Sequence, residues 1–400
     1  MKNDAHDGDI VLVAPVRTPI GKFLGGLSSL TAPDLGTVAA KAALERAGLD
    51  PKNVDQVIFG HGRQAGSGPN PGRQVGYRAG VPVDRPAFTV NQACASGLQA
   101  VLSAARTILT GEARVVLAGG MESMSNTPYL LPRARTGYRL GNAEIVDAMY
   151  KDGFNCPLSE LAMGETAEEL ANEVGIDRAA SDAYALESQL RCERARAEGR
   201  FESEIAPVTV PGRKGDVTIS KDEHPRDGAT LDSMTKLKPV FRDGGVVTAG
   251  NASGITDGAA AIVVASRAAA KELGLPIVAK LSGWHVVGVE PRIMGIGPVP
   301  AVRKLLEKAG LDIGAIDAIE LNEAFAAQVL ACNKELGIDP ERLNPDGGAI
   351  ALGHPIGATG TRILVTLLHG LEKRGGERGI ATLCVSGGMG IAALVEREAA

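Results

Sequence analysis

The sequence predicts an α/β protein made of two duplicated βαβαβ-type halves packed as a pseudo-dimer, with one large α+β insertion. Three observations carry this. First, apolar β-leaning runs alternate with helical patterns up to Ser123 and again after Val247, which indicates parallel βαβ units. Second, short blocks recur in the same order. Ala-Gly-Leu-Asp occupies 47–50 and 309–312. Ala43-Leu44-Glu45-Arg46 and Leu305-Leu306-Glu307-Lys308 precede it, Val54 to Ile58 and Ile316 to Glu320 follow, and Leu117 to Met121 echoes Val385 to Met389. Third, the chain between the halves is more polar and less regular. The expected division is 1–123 with 248–275, then an insertion over 124–247, then 276–400.

The elements follow in order. Ile10 to Ala14 is a buried strand closed by a turn at Arg17 to Gly21. Thr31 caps a helix with Pro33 and Asp34 in its first turn, and Gly48 stops it. Val54 to Phe59 is a strand, and the Gly-rich chain after Gly60 begins as a loop. Phe88 to Val90 is β-leaning, and a helical face then runs through Leu98, Val101, Leu102, Ala105, Ile108 and Leu109. Arg114 to Ala118 is a strand ending in Gly119-Gly120-Met121-Glu122-Ser123. Within the insertion one helix starts at a capping-box pattern, Thr166 to Glu169, and another spans about Ala179 to Gly199. Such an insertion covers the sheet and reaches a ligand, or is a surface excursion. Ala259 to Ala265 and Ile277 to Trp284 are strands, and Ile363, Leu364, Leu367, Leu368 and Leu371 mark a late helix.

With 44% hydrophobic and 22% charged residues, the chain has the composition of a soluble globular protein. No apolar run is long enough to cross a bilayer, so no membrane is expected. A formal charge of −5 argues against nucleic acid as a partner. The five cysteines (94, 156, 192, 332 and 384) are widely spaced without C-x-x-C, so neither a disulfide framework nor a metal site is expected. The polar, acidic stretch Met1 to Asp9 is unlike a secretory signal or transit peptide, which leaves a cytoplasmic location as the expectation.

The chemistry centres on Asn91-Gln92-Ala93-Cys94-Ala95-Ser96-Gly97-Leu98. Cys94 sits where a strand gives way to a helix, where the helix dipole favours the thiolate. Small neighbours leave room for a substrate. Cys94 is a covalent catalyst or an inert buried thiol. The duplicated half offers a matching loop, Gly347 to Gly360, in which His354 also precedes a helix. A Cys and a His on matching loops could meet across the junction of the halves; the alternative is a structural turn histidine. Cys384 lies at a strand end before a Gly-rich turn, as a proton shuttle or a core residue. Asn322-Glu323-Ala324-Phe325 is a polar corner leaving the sheet, or a helix cap.

Together these blocks closely resemble the thiolase family, over about Ile10 to Glu396. They are Asn91 to Gly97, Asn322 to Phe325, Gly347 to Pro355, and Cys384 with Ser386-Gly387-Gly388-Met389-Gly390. The resemblance implies a layered α/β/α/β/α sandwich and an acyltransferase for the reversible Claisen condensation of two acetyl-CoA to acetoacetyl-CoA, or thiolysis of 3-ketoacyl-CoA, by ping-pong transfer. It implies that Cys94 carries the acyl group, that His354 activates it, and that Cys384 exchanges the α-proton. His354 and a water on Asn322 form one oxyanion hole, and the N–H groups of Cys94 and Ser386 the other. Ser386 stands where the family usually has Gly. Arg226 and Ser233 are implied near the nucleotide end of CoA, Ala249, Ser253 and Phe325 along the pantetheine tunnel, and Met163 and Met294 near the acyl pocket.

The insertion resembles the family's CoA-binding loop domain. Ala162 replaces a His common in acetoacetyl-CoA thiolases, which opens room for longer acyl chains. The resemblance further implies a place in fatty acid metabolism, no cofactor beyond CoA thioester substrates, and a homodimer or homotetramer, with Tyr129 to Asn142 where the tetramerisation loop lies. Three alternatives stand beside the biosynthetic acetyltransferase. They are a longer-chain degradative thiolase, a non-catalytic CoA- or lipid-binding relative, and a ketoacyl synthase-like enzyme, which Cys384 disfavours.

Overall fold

The computed structural model describes residues 9–398; the N-terminal stretch, Asp9 excepted, lies outside them. The duplicated blocks fold alike where local chemistry dictates it. The Thr31 N–H donates to Asp34, the Thr31 hydroxyl accepts the Asp34 N–H, and the helix Ala32–Ala47 ends at Gly48 with φ 62°. Its counterpart Pro298–Ala309 ends at Gly310 with φ 66°. A 3-10 turn follows each, Pro51–Asn53 and Ile313–Ala315, and then a strand, Gln56–Gly60 and Ala318–Leu321. The first of these strands therefore starts after Val54, which caps the turn.

The fourth sequence echo does not share its structure. Gly119 to Met121 lies inside one continuous strand, Val115–Ser123, whereas Ser386 to Gly388 is the turn between Arg378–Val385 and Met389–Arg397. The glycines answer different needs. Gly387 and Gly388 supply φ of 90° and 83° for the turn. Gly120 lies against the backbone of Gly357 and Ala358, where a side chain would collide.

Nine strands run edge to edge in the order Ala318–Leu321, Arg378–Val385, Met389–Arg397, Ile277–Gly288, Ile10–Arg17, Thr256–Ser266, Val115–Ser123, Gln56–Gly60, Ala87–Val90, with Gly21–Lys22 pairing onto Thr256–Ser266. Only Gln56–Gly60 with its two neighbours and Ala318–Leu321 with Arg378–Val385 are parallel. The parallel units expected from the sequence are thus embedded in a mixed sheet. The halves join where Ile10–Arg17 pairs antiparallel with Ile277–Gly288.

Alternating side chains of each strand feed different cores. Val57, Leu117 and Val263 meet Leu35, Ala39 and Ala43 of the first helix on one face. Ile58, Val116 and Ile262 face a central layer made by Leu98, Val101 and Leu102 together with Ile363, Leu364 and Leu367. Leu383, Ile391 and Ala393 of the second half close that layer from the other side. Ile319, Ile380 and Leu394 then meet Val302, Leu305 and Val329 in an outer core. Helix, sheet, paired helices, sheet and helix follow in succession. Leu109, expected on the buried face, is exposed at its helix end.

The insertion is tied down by buried charge. Arg17, wholly buried in the first strand, donates to Asp222 at 2.7 and 2.9 Å and to Glu204 at 2.6 Å. The insertion's first long helix is Met163–Val174, so it starts three residues before the expected Thr166. Its first turn is capped by Glu165, which accepts the Ala162 N–H at 2.7 Å. Glu168 is buried and accepts from Val246 and Val247. The second helix is Arg178–Ala197.

Candidate active site

The strand Ala87–Val90 delivers the chain to a tight turn. The Asn91 side chain accepts the Ala93 N–H at 3.0 Å, Gln92 N–H donates to Ser96 Oγ at 2.9 Å, and Ser96 Oγ donates to the Ala93 carbonyl at 2.7 Å. Ala93 is held at φ 45°, a left-handed angle that a side-chain-bearing residue adopts only under such constraint. Cys94 follows, and the helix Ser96–Leu109 begins two residues later. Cys94 is partly buried and opens on a cavity.

Burial pushes the Cys94 thiol up, opposed by the Arg63 charge and by the backbone N–H groups of Ser386 and Cys94. One expectation about this stretch is corrected: the small residues do not mainly make room for substrate. Ala95, Ser96 and Gly97 are buried, and only Ala93 of this group lines the cavity. Their smallness lets two helices meet. A side chain on Gly97 would press on Thr361 N at 2.8 Å and the Gly357 carbonyl at 3.0 Å, and one on Gly360 would strike the Leu98 backbone. Cys94 and His354 line one cavity, and the helices that follow them touch at these points.

His354 precedes the helix Ile356–Arg374. Gly353, at φ 100°, turns the chain into place, and the His354 N–H donates to the Gly254 carbonyl at 3.0 Å. Thr359 Oγ1 donates to the Pro355 carbonyl at 2.9 Å, so it accepts from His354 Nδ1 at 2.6 Å. The proton is thereby assigned to Nδ1. Nε2 is left as the acceptor, facing Asn322 Nδ2 at 3.5 Å. Burial, then the charges of Arg362 and Arg63, lower His354 from 6.5 to about 3. The imidazole is a neutral base at ordinary pH.

Cys384 is the penultimate residue of its strand and is buried against Met294, Ala324, Met163 and Phe325. Burial, then the charge of a Cys94 thiolate, raise its thiol well above the ordinary value. Two thiols, one of them raised by the other's charge, and a neutral imidazole can exchange protons and carry an acyl group. Ser386 is outside the left-handed region, so its side chain brings no strain where the family prefers Gly.

Cys94, His354, Cys384, Ser386, Ser253, Phe325, Met163 and Met294 line one cavity. Asn322 stands behind His354, off the wall, with its buried Oδ1 unpartnered among the described residues. Arg226, Ser233 and Ala249 are exposed and do not line it. The Arg226 N–H donates to Gln189, and the Ser233 hydroxyl accepts the N–H of Thr230, the cap of the short helix Leu231–Thr235. Sequence reasoning missed Arg63, Phe154, Phe241 and Thr359. Phe241 lies on Gly164, where any side chain would collide, a long-range pairing without a local signal. Among the described residues no cluster fit to hold a metal occurs.

Two fused α/β halves, one presenting a thiol and the other an imidazole and a second thiol, define the class. Residues 10–268 match the family description "Thiolase, N-terminal domain" and residues 275–397 match "Thiolase, C-terminal domain". The chain belongs to the thiolase family. It is 51% identical over 391 residues to the acetyl-CoA acetyltransferase of Cupriavidus necator, covering 98% of this chain and all of that one. It is 50% identical to the Escherichia coli acetyl-CoA acetyltransferase, covering 97% and 98%. The structure of the Bacillus anthracis acetyl-CoA acetyltransferase superposes with a TM-score of 0.96 at 45% identity, covering 98% and 99%. Human mitochondrial 3-ketoacyl-CoA thiolase in complex with CoA gives 0.94 at 42%, with the same coverage.

Proposed function

We propose that this thiolase is an acetyl-CoA C-acetyltransferase, which joins two acetyl-CoA into acetoacetyl-CoA and CoA and runs the reverse thiolysis. The observation that carries the reading is the meeting of Cys94, His354 and Cys384 in one cavity. His354 Nε2 takes the Cys94 proton as the sulfur attacks the thioester carbonyl. The N–H groups of Cys94 and Ser386, which both face the Cys94 sulfur, stabilise the developing oxyanion. CoA leaves with a proton, and the acetyl group stays on Cys94. Cys384 removes the α-proton of a second acetyl-CoA and passes it to His354 Nε2, so that the enolate oxygen is held by the Nε2–H of His354 and by a water on Asn322; the proton returns to the Cys94 sulfur as it leaves. The new carbon–carbon bond forms as the Cys94 thioester breaks. No oxidation state changes, so the chemistry requires no redox cofactor.

Met163, Met294, Ser253 and Phe325 belong to the wall around the acyl group and pantetheine. Arg226, Ser233 and Ala249 are placed toward the solvent end of CoA, which their exposure supports. Ala162 lies on the wall, and this small side chain favours a second reading, in which longer 3-ketoacyl-CoA substrates are also cleaved. The ratio of thiolysis rates on acetoacetyl-CoA and 3-ketooctanoyl-CoA separates the two. Exposed Tyr129, Leu131, Leu140 and Ile145 support assembly into a dimer or tetramer. No helix among the described residues is long and apolar enough to cross a membrane; a cytoplasmic location remains part of the proposal. Incubation with acetyl-CoA followed by peptide mass spectrometry is expected to find an acetyl group on Cys94. An unmodified Cys94, together with no thiolysis of acetoacetyl-CoA, contradicts the proposal.

A further inference from the structure

The cavity wall is mostly apolar, yet it carries one side chain of fixed charge, Arg63. This residue is 6% exposed. Its Nε has no hydrogen-bond partner among the described residues. Its Nη1 reaches only the Asp152 carbonyl, at 3.4 Å. The guanidinium lies between Phe154 and Gly153. It stands 5.7 Å from the Phe154 ring centroid, and it occupies the space that a side chain on Gly153 would need. Phe154 packs with Met124, Ile356 and Cys94, so the charge belongs to the nucleophile's side of the cavity.

The buried carboxylate of Glu122, on which the Arg63 charge acts, makes no ion pair with this group among the described residues. Glu122 is fully buried, and each of its oxygens already has two donors. Oε1 takes the Arg63 backbone N–H at 3.1 Å and His61 Nε2 at 3.0 Å; Oε2 takes Gly62 N–H at 3.0 Å and Gly357 N–H at 2.8 Å. The Glu122 charge anchors the backbone under Arg63 and leaves the guanidinium fork without a carboxylate. A buried guanidinium short of acceptors is rare in a folded protein and points to something that completes it. Folding has already stripped it of water, so an incoming anion meets a desolvated, oriented partner.

We propose that Arg63 is a specificity-determining residue: the acyl pocket takes short 3-ketoacyl-CoA substrates whose chain ends in a carboxylate, which pairs with the guanidinium. This rests on the thiolase reading above and extends its substrate class. In thiolysis the Cys94 sulfur bonds to the C3 carbonyl carbon. The C2–C3 bond breaks, and its electron pair stays on C2 of the departing acetyl-CoA, which takes the Cys384 proton. His354 returns the former Cys94 proton to Cys384. The CoA sulfur then displaces Cys94, and the CoA proton restores the Cys94 thiol. The terminal carboxylate is unchanged throughout and serves only to position the chain.

The test compares 3-oxoadipyl-CoA with 3-oxohexanoyl-CoA, which share a six-carbon chain and differ in ending in a carboxylate or a methyl. Acetoacetyl-CoA is the control. In the wild-type enzyme kcat/KM is expected to favour the carboxylated substrate by at least about tenfold, as expected where a buried polar group is matched or left unpaired. Arg63→Met is expected to abolish or invert that ratio, which is internal to each enzyme and so independent of the active fraction. Thiolysis of acetoacetyl-CoA with no preference for 3-oxoadipyl-CoA overturns this inference alone. A preference that survives Arg63→Met overturns the assignment to Arg63. No thiolysis of any of the three overturns the thiolase reading itself. Should Arg63→Met fail to fold, the wild-type ratio still decides.

Discussion

At the scale of single residues, burial is the first influence on the protonation of all three reactive groups. His354 is buried neutral, so the unfolded chain binds more protons than the folded one below its ordinary value. Its stabilising contribution is complete above about 6.5 and is lost as pH falls from there toward the folded value of about 3. Wild-type enzyme is therefore expected to lose about 2 kcal/mol more than His354→Gln between pH 6.5 and 5, by urea unfolding. Equal losses would contradict a depressed imidazole. The same shift governs rate. The acylation step is expected to show no inflection near 6.5, because the base remains unprotonated well below it; a pH profile of kcat/KM for acetyl-CoA checks this. Cys94, His354 and Cys384 were legible in the sequence because the first two stand just before helix starts on matching loops and the third before a Gly-rich turn. Arg63 was not. Its character comes from Gly153 and Phe154, about ninety positions downstream, and from a Glu122 carboxylate saturated by other donors.

At the scale of elements, the site depends on how closely the helices Ser96–Leu109 and Ile356–Arg374 approach. Gly97 and Gly360 set that distance, since any side chain there meets backbone of the other helix. Gly360→Ala is expected to cost about 1–3 kcal/mol by urea unfolding, the range for overpacking a well-filled core. It should also lower the acylation rate of Cys94, because separating the helices separates sulfur from imidazole. A variant with unchanged stability and rate would remove the helices' contact from the account. Element starts and stops were legible where one residue decides them, as at Thr31, Gly48 and Gly310. They were misplaced where tertiary contacts decide. Thr166 looked like a cap in sequence, but Glu165 reaches back to Ala162 and the helix begins earlier. Likewise the strand expected over Arg114 to Ala118 continues to Ser123, where neighbouring strands crowd Gly119 through Ala260 and Phe59 and the opposing helix crowds Gly120 through Gly357 and Ala358.

At the scale of the whole molecule, duplication explains why the chemistry is split. Each half supplies one loop before one central helix, and stacking the two helices between the two halves of the sheet brings the loops together. The alternation of strands and helices showed the halves, but not the antiparallel joint between Ile10–Arg17 and Ile277–Gly288. Pairing partners far apart in sequence leave no mark in either strand. The insertion is held to this frame through Arg17, Asp222 and Glu204. Arg17→Met would leave two buried carboxylates without their cation. It is expected to cost about 3–5 kcal/mol, read from the urea midpoint. A loss under about 1 kcal/mol, the range of exposed pairs, would show that these contacts do not anchor the insertion.

The central claim is a division of labour between two thiols, and Cys384→Ser tests it most directly. With deuterated water as solvent, acetylation of Cys94 by acetyl-CoA and deuterium exchange into the acetyl-CoA methyl group are followed in the same sample by mass spectrometry. The account predicts that Cys94 is still acetylated, while deuterium exchange and condensation fall by at least about a hundredfold, the usual scale of losing a positioned acid–base group. Equal loss of acetylation and exchange, or exchange that persists without the Cys384 thiol, would contradict it.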